Sequence, residues 1–472
     1  MQADSARFPD NVAAARRDPT LLGALDRLQR DARAGRVETV ARLPEFESLR
    51  DAARDIRNGA LANLAANLER FEENVVANGG RVHWCRDAPE ARETVARICR
   101  EAGAKTIAKG KSMVTEEIDL NAALIDAGFD TVETDLGEYV LQLRDETPSH
   151  IVIPAIHLTK DQFAETFRGA HGDLPADRSL EEARPITDEA RGALRDVFLR
   201  ADVGITGANF LIAETGSVVI VTNEGNGDLA QSLPRTHIAV TGIEKALGTV
   251  EEALTLVRVL ARSATGQEIS AYTTFATGAK RDGDAAGPEN FHVVLVDNGR
   301  GDLLAGPKRE ILRCIRCGAC QTVCPVYGAV GGHAYGAVYA GPVGSVLTPA
   351  LSGLEKSRHL PEASSFCGAC EGVCPVRIPL PRLLRMWRED AFQAHLGPTF
   401  LRWGLFAWST LTAWPWAYRM AGGIGGRVLR LMAMGRGRLT RLPFAGKWTG
   451  GRDLPVPEGG TFVGGWHRRR GR

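Results

Sequence analysis

Seven of the nine cysteines in this 472-residue chain lie in two runs between residues 314 and 374. The first run is Cys314, Cys317, Cys320 and Cys324 followed by Pro325, and the second is Cys367, Cys370 and Cys374 followed by Pro375. In bacterial ferredoxins the first spacing lets three thiolates bind one iron–sulfur cluster, while the fourth, before the proline, binds the other. The runs therefore predict a cluster-binding domain and make electron transfer the leading hypothesis for the protein.

Two other uses of clustered cysteines fit this spacing less well. Zinc sites usually present isolated pairs of cysteines rather than a run of four. Disulfide frameworks are typical of small secreted domains, whereas this chain is long. Gly318 and Ala319 also let the backbone approach a cluster closely, so that N–H groups help to set its potential.

The second run is one cysteine short, because Ser364 stands where a full run would have a thiolate. Ligand exchange as in two-cluster ferredoxins assigns Cys314, Cys317, Cys320 and Cys374 to one cluster and Cys324, Cys367 and Cys370 to the other. The second site is then a [3Fe–4S] centre, or a [4Fe–4S] centre whose fourth iron has a serine, water or other oxygen ligand. The sequence leaves both alternatives open.

Charge and length limit the class of protein. The formal net charge is +1 with 24% charged residues, which gives no indication of nucleic-acid binding. A chain of this length holds two or three domains with real cores. Residues 1–30 contain no apolar stretch of signal-peptide length, and clustered reduced thiols favour the cytoplasm as the expected location.

The C-terminal segment has a different composition. Trp403 to Tyr418 carries no charge, and six of the eight tryptophans lie between Trp403 and Trp466. From Arg419 onward there are twelve Lys and Arg residues against two acidic residues. Sixteen uncharged residues interrupted by Pro415 are too few to predict a membrane-spanning helix. Contact with an anionic membrane surface and docking on protein remain the two alternatives, with docking favoured.

Strand and helix patterns predict an α/β protein in four segments. Residues 1–78 have helical spacing, and 79–300 alternate strands with helices, which indicates a largely parallel sheet. Residues 301–395 form the cysteine-rich, ferredoxin-type helical domain, and 396–472 form the Trp/Arg-rich tail. The segment HIVIPAIH, residues 150–157, has the pattern of a buried strand, and we expect His150 and His157 beside it to be core histidines.

Polar loop segments of the α/β region are candidates for a binding pocket, because α/β folds collect ligand groups at strand ends. Their candidate residues are Lys109, Lys111, Ser112, Asn209, Glu214, Asn223, Glu224 and Asn226. Lys109 to Ser112 resembles a phosphate loop but lacks the Walker glycine spacing, which argues against an NTPase. Lys109 and Lys111 either receive an anion such as a carboxylate or are solvated in a turn, and the sequence favours neither alternative. The segment 204–228 fits a pocket rim and a tight hairpin equally well.

Other features of this region predict structure rather than chemistry. The acidic segment from Glu133 to Glu138 is expected to be a charged turn, and Cys85 and Cys99 to be buried structural thiols. No G-x-G-x-x-G follows a strand, so the chain has no dinucleotide or flavin motif of its own. A flavin and a catalytic base for hydride or proton abstraction are therefore both unidentified.

The loop segments and the two cysteine runs together resemble the iron–sulfur B subunit of the three-protein lactate utilization system. The segments that carry this likeness are KGKSMVTEEIDLN, ETDLGEY, PSHIVIPAIH, ADVGITGANFLIAETGS, NEGN, GIEK, SATGQ and DNGR. The resemblance covers residues 40 to 390 and extends more weakly through the tail. It implies a lactate-utilization domain with a CoA-transferase/ribose-phosphate isomerase-like fold, and two other lactate-utilization subunits as partners. It also implies that the three-thiolate second site is a family feature.

The resemblance implies that the chain is the electron-transfer subunit of a complex that oxidises L-lactate to pyruvate, rather than a complete enzyme. One departure is Gly227-Asp228, where the family pattern leads us to expect a small residue and then arginine. The alternative function is an oxidoreductase, self-sufficient or partner-assisted, for another 2-hydroxy acid such as glycolate. A cluster-based sensor is a weaker alternative, since a sensor needs only one cluster.

Overall fold

The structure, a computed structural model, describes residues 5–175, 177–443, 445–457 and 461–470. The chain divides into two compact units, residues 1–391 and 392–472. The first unit contains the predicted α/β region and both cysteine runs together. The segment boundaries predicted at residues 78 and 300 remain predictions.

Helices surround the sheets of the first unit. They are α1 (Phe8–Ala15), α2 (Pro19–Ala41), α3 (Phe46–Ala62), α4 (Leu64–Ala77), α5 (Ala88–Glu101), α6 (Met113–Glu117), α7 (Leu120–Asp126), α8 (Leu136–Leu143), α9 (Lys160–Ala170), α10 (Ala183–Arg200), α11 (Asn226–Ser232), α12 (Val250–Ala264), α13 (Arg300–Ala305), α14 (Ala319–Thr322), α15 (Tyr327–Val330), α16 (Gly341–Ser352), α17 (Leu354–Ser357), α18 (Ala369–Val373) and α19 (Leu380–Gln393). Short 3₁₀ helices occur at Ser5–Arg7, Ile243–Lys245, Arg309–Arg313 and His333–Tyr335.

A six-stranded parallel sheet forms the centre of the α/β region. The strands of the first unit, which form two sheets, are β1 (Arg81–Cys85), β2 (Thr106–Lys109), β3 (Asp130–Glu133), β4 (Val203–Thr206), β5 (Phe210–Ile212), β6 (Ser217–Thr222), β7 (Thr236–Gly242), β8 (Ala246–Leu247), β9 (Tyr272–Ala276) and β10 (Asn290–Val296). The parallel sheet has the order β1-β10-β7-β4-β2-β3, and a smaller mixed sheet has the order β8-β5-β6-β9.

Strand β10 shows how the parallel sheet is buried on both faces. Val294 and Val296 pack in one apolar cluster with α5, while Phe291, Val293 and Leu295 pack in another with α4. Successive side chains of a strand point to opposite faces, so a sheet covered by helices on both sides needs apolar residues at nearly every position. This is why HVVLV and HIAV are continuous apolar runs, and the predicted strands there are confirmed; SVVIV, in the mixed sheet, is also confirmed as a strand.

The predicted strand HIVIPAIH is wrong, since residues 150–157 form bends and turns. Ile151 is buried against the cysteine-rich segment instead of in a sheet and belongs to the same apolar cluster as Cys317 and Cys374, whereas Ile153 is exposed. The backbone of the segment is held by single hydrogen bonds, with the N–H of Ile151 donating to Gln321 Oε1 at 3.3 Å. Pro154 lacks the N–H that a central strand position requires.

The second unit consists mainly of two helices, α20 (Thr399–Ala413) and α21 (Pro415–Ala433), and a minimal strand pair, β11 (Arg438–Leu439) and β12 (Leu454–Pro455). Two shorter helices follow, α22 (Gly446–Thr449) and α23 (Phe462–Arg470). No residue of α20 is buried, and Trp403, Trp408, Trp414 and Trp416 are all exposed. Among the described residues, none of the helices combines the length and apolarity that crossing a membrane requires.

Candidate cluster sites and an adjoining pocket

Four cysteines from the two runs line one cavity. They are Cys314, Cys317 and Cys320 from the first run and Cys374 from the second. Burial raises the pKa of Cys320 well above its usual value, and the charges of Cys314, Cys317 and Cys374 raise it further. Thiols that oppose one another's ionisation at such close range are the donor set that a cation-rich cluster stabilises as thiolates.

The two runs share a local backbone conformation. Each contains the sequence Cys-Gly-Ala-Cys, at residues 317–320 and 367–370. Gly318 and Gly368 have φ of 72° and 81°, and the residues two positions earlier, Arg316 and Phe366, have φ of 59° and 55°. This left-handed conformation is accessible to glycine without strain. Helices α14 and α18 begin directly after Gly318 and Gly368, so that Cys320 and Cys370 each lie in a helical turn.

Backbone N–H groups donate to sulfur in both runs. The N–H of Arg316 donates to Cys314 Sγ at 3.4 Å, that of Ile378 to Cys374 Sγ at 3.3 Å and that of Tyr327 to Cys324 Sγ at 3.5 Å. Such donors stabilise the charge of ligating thiolates.

The remaining three cysteines form a second group around Cys370. Burial raises the pKa of Cys370 to about 12, with further contributions from the charges of Cys324 and Cys367. Cys367 is exposed, and its pKa is lowered because the N–H of Ala369 and the hydroxyl of Ser365 donate to it. Ser364 precedes Cys367 by three residues, and its Oγ accepts from the N–H of Phe366 at 3.2 Å. All nine cysteines are free thiols, so the residues fit iron–sulfur ligation and no cysteine of either run is used in a disulfide.

Buried arginines of α3 hold the cysteine loops. Arg50 donates to the carbonyl oxygen of Gly372 at 2.8 Å and twice to that of Cys374. Arg57 donates to the carbonyls of Leu312 at 2.7 Å and Arg313 at 3.3 Å. The sequence analysis missed these residues. Their signal is that both arginines lie on the apolar face of α3, at helical spacing from Ala53 and Ala60, where a charge is buried only with partners.

An ionic network joins the α/β region to the first cysteine run. Arg300 donates to Glu117 and Glu244 at 2.7 Å each, and all three side chains are buried. Arg316 approaches Glu244 at 3.4 Å and stacks 4.7 Å from the ring centroid of Tyr339. Burial alone would raise the pKa of Glu244, but Arg300 and Arg316 lower it to about 2. The network therefore fixes the residue that directly precedes Cys317.

A pocket of about 280 Å³ opens at the carboxyl ends of the parallel strands. Its walls come from the segments that follow β2, β3, β4 and β7, which meet at one edge of the sheet. Lining residues that carry polar or charged side chains include Lys111, Ser112, Asp135, Thr206, Asn209, Thr222, Asn223, Glu224, Asn226, Thr265, Ser270, Lys245 and Arg316.

Six of the eight predicted pocket residues line this cavity: Lys111, Ser112, Asn209, Asn223, Glu224 and Asn226. Lys109 and Glu214 are not among its lining residues. Lys109 ends β2 with its ammonium buried against Glu133 at 2.5 Å and Glu116 at 3.1 Å. Glu214 lies in an exposed turn, where its carboxylate accepts from the N–H of Val250 at the start of α12.

The acidic segment 133–138 is not the exposed charged turn that we expected. Glu133 and Glu138 are buried, and burial raises the pKa of Glu138 well above its usual value. Burial would lower the pKa of Lys109, but the nearby glutamates raise it, so that the ammonium stays charged among them. Asp135, between these glutamates in the sequence, lines the pocket. Glu133 ends β3 and Glu138 lies in the first turn of α8, whereas Asp135 lies between these two elements. The two buried acids are therefore separated by the one that lines the pocket.

Two pocket residues have unusual electrostatic environments. Glu224 has its pKa raised to about 7, first by burial and then by the charge of Asp135, and its Oε2 accepts from the N–H of Leu136 at 3.5 Å. Lys245 is 4% exposed, and burial followed by the charge of Arg316 lowers its pKa to about 7. Lys245 carried no signal in the sequence beyond its place in GIEK, directly after a buried strand.

The pocket and the cavity of the four cysteines share a wall. Ile151, Arg316 and Cys317 line both. The pocket therefore reaches a residue of the first cysteine group, a relationship that spacing within the separate motifs does not predict.

Other predicted residues have structural environments. His150 is buried, its Nδ1 accepts from the N–H groups of Val152 and Ile153 at 3.0 Å each, and burial lowers its pKa to about 3. Cys85 and Cys99 are buried. At the departure from the family pattern, Gly227 lines the pocket, and Asp228 accepts from the hydroxyl of Thr274 and from Gln231 at 3.4 Å.

Two family models match parts of this chain, and its relatives match all or nearly all of it. Residues 68–296 match the LUD domain, and residues 310–378 match the 4Fe-4S dicluster domain. Lactate utilization protein B of Lysinibacillus sphaericus is 41% identical over 100% of this chain and 99% of its own length. The protein of the same name in Geobacillus thermodenitrificans is 42% identical over 100% and 98%. An Escherichia coli protein described as an uncharacterized electron transport protein is 41% identical over 94% of this chain and 93% of its own.

Proposed function

This chain belongs to the family of lactate utilization protein B, and we propose that it is the iron–sulfur electron-transfer subunit of a complex that oxidises L-lactate to pyruvate. The observation that carries the proposal is the meeting of Cys374 with Cys314, Cys317 and Cys320 in one cavity. Three thiols from one run joined by one from the other is the arrangement of two-cluster ferredoxins.

We assign the four cysteines of this cavity to a first [4Fe–4S] cluster and Cys324, Cys367 and Cys370 to a second. The second cluster has three thiolates and is either a [4Fe–4S] centre with an oxygen ligand at the fourth iron or a [3Fe–4S] centre. Each cluster accepts or releases one electron at a time, so two of them suit an oxidation that releases two electrons. The residues of this chain contribute by burying the thiolates and donating N–H groups to them.

From the family resemblance we further propose two other lactate-utilization subunits as partners and the cytoplasm as the location.

The observation behind the alternative function, an oxidoreductase for a 2-hydroxy acid such as glycolate, is the pocket beside Cys317. Its volume of about 280 Å³ accommodates either acid.

The experiment is iron and sulfide analysis with low-temperature EPR on anaerobically purified protein, before and after dithionite. About eight irons and a spin-coupled reduced signal would support two [4Fe–4S] clusters; about seven irons and an oxidised-state signal would support a [3Fe–4S] second site. The reduction is then repeated with the two partner subunits, using L-lactate or glycolate in place of dithionite. Protein that binds zinc and gives no EPR signal would refute the redox function. Reduction of the clusters by glycolate but not by L-lactate would favour the alternative substrate.

A further inference from the structure

Lys245 is a buried lysine whose ammonium has no direct partner among the described residues, although the charges of Glu244 and Cys314 act on it. It follows β7 in a short 3₁₀ turn and is 4% exposed. Within the part of the chain that the structure describes, its ammonium makes no hydrogen bond or ion pair, whereas Lys109, equally buried, contacts two glutamates. A buried charge is costly unless it is paired, so the environment of Lys245 lacks one anionic group.

The position of Lys245 indicates where that anion lies. Lys245 lines the pocket at the strand ends but does not line the cavity of the four cysteines. A cluster held by those cysteines therefore lies on the other side of the shared wall of Ile151, Arg316 and Cys317. The open volume that Lys245 lines is the pocket, so a ligand there can make the direct contact with its ammonium that Glu244 and Cys314 do not make.

The remaining polar groups of the pocket limit the ligand to one negative charge. Two of the three cations that line the pocket already have acidic neighbours: the charge of Lys111 acts on Glu224, and Arg316 pairs with Glu244 at 3.4 Å. Asp135 and Glu224 add carboxyl groups to the lining, which repel a second negative charge on a ligand. Asn209 accepts from the N–H of Val221 at 2.9 Å through Oδ1, so its NH₂ group can donate to a ligand oxygen.

We propose that this pocket binds a short monocarboxylate that carries a 2-hydroxy or 2-keto group, with its carboxylate paired to Lys245. The identity of the acid as lactate or pyruvate rests on the proposed function, whereas the charge and size class rest on the pocket. The bound acid lies against Cys317, so its charge acts directly on the first cluster. In this arrangement the subunit that transfers electrons also binds the organic acid.

The test measures binding to the full-length, cluster-loaded protein under anaerobic conditions. Calorimetric titrations use L-lactate, pyruvate and uncharged L-lactamide, and EPR of the reduced first cluster is recorded at saturation. We expect lactate or pyruvate to bind at least about tenfold more tightly than lactamide, because the uncharged amide leaves Lys245 unpaired. We also expect the bound acid to change the EPR line shape, because its charge lies beside Cys317.

Lys245→Met is compared with Lys280→Met, which removes the same charge from an exposed position. We expect Lys245→Met to bind the acid at least about tenfold more weakly at unchanged iron content, and Lys280→Met to bind like wild type. Equal binding of lactate and lactamide to wild type, or wild-type affinity in Lys245→Met, would overturn the proposal. If Lys245→Met loses its clusters, the comparison of lactate with lactamide binding to wild type still decides whether the pocket recognises the carboxylate.

The proposed function and the binding site fail separately in this experiment. Clusters that lactate reduces in the complex, in a subunit that binds no monocarboxylate, would refute the site and leave the electron-transfer function. Tight binding of a different short monocarboxylate, without binding of lactate or pyruvate, would support the site and refute the assignment of lactate.

Discussion

Arg50 of α3 donates to the backbone carbonyl of Cys374 through both Nε and Nη2, at 3.1 and 2.9 Å. A residue near the beginning of the chain thus fixes the cysteine that joins the second run to the first cavity. The same guanidinium also donates to the carbonyl of Gly372 and pairs with Glu47 at 2.9 Å. The N-terminal helical region is therefore part of the support for the first cluster site.

Replacing Arg50 by alanine is expected to loosen the first cluster. The change removes the side-chain donors to the carbonyls of Gly372 and Cys374, although the N–H of Arg377 still donates to that of Cys374, and opens a cavity in a buried site, at a cost of about 2–4 kcal/mol in stability. Iron release to a chelator, followed by absorbance under anaerobic conditions, should be faster than in wild type. Arg54→Ala is the control, because the partners of Arg54 among the described residues are Asp51 and Asp55 on the same helix. Equal release rates in the two variants would contradict the role of Arg50.

Cys317→Ser is expected to remove the first cluster while the α/β region stays folded. Cys317 is buried between the cavity and the pocket, whereas the parallel sheet is built from residues outside both cysteine runs. Iron content should fall by about half, and EPR should retain the signal of the second cluster only. The far-ultraviolet circular dichroism spectrum should change little.

Cys99→Ser provides the matched control, since Cys99 is a buried thiol outside the runs. It should keep wild-type iron content and EPR. Loss of all soluble Cys317→Ser protein would show that the α/β region depends on the first cluster for folding.

Ser364→Cys is expected to complete the second site. Ser364 corresponds in spacing to Cys314, and its Oγ already accepts from the N–H of Phe366, as a thiolate in a ligand loop would. Added thiolate ligation should raise the iron content toward about eight per chain and slow the loss of iron in air. Ser48→Cys, an exposed position on α3, controls for the extra thiol. An unchanged oxidised-state EPR signal in Ser364→Cys would show that position 364 is too far from the fourth iron.

The cysteine groups were predictable because ligand chemistry fixes their spacing along the chain. The exchange of Cys374 into the first group follows from two copies of Cys-Gly-Ala-Cys that pack side by side through α14 and α18. The strands β7 and β10 were predictable for a similar reason, since a parallel sheet covered on both faces imposes continuous apolar runs. In these cases a short segment contains all the physical constraints.

The parts that failed depend on neighbours that are distant in sequence. Ile151 of HIVIPAIH packs on the cysteine segment, and periodicity alone does not distinguish that contact from a strand. An anion was one of the two alternatives for Lys109, and its anionic partners are Glu116 and Glu133 of the protein itself. Lys245 was missed because its lack of a partner is a property of the folded pocket, which no local pattern reports.

Glu224 is expected to make binding of the acid weaker as the pH rises through neutrality. Its pKa of about 7 means that it is largely neutral at pH 6 and charged at pH 8. Asp135 faces it from the segment after β3, Lys111 from the segment after β2, and the N–H of Leu136 donates to it. The carboxylate form repels a monocarboxylate ligand, so the affinity of the cluster-loaded protein for lactate should fall about threefold to tenfold between pH 6 and pH 8.

The pH dependence has the same sign for Glu224 and Lys245, so the Glu224→Gln variant is needed to separate them. Deprotonation of Lys245, whose pKa is also about 7, weakens binding in the same direction. Glu224→Gln removes only the repulsion, so the variant should bind lactate at pH 8 more tightly than wild type and keep a shallower pH dependence. Glu251→Gln, at an exposed position on α12, should follow the wild-type profile in calorimetric titrations. If Glu224→Gln instead reproduced the wild-type profile, Lys245 alone would account for the pH dependence, and Glu224 would lie out of reach of the bound acid.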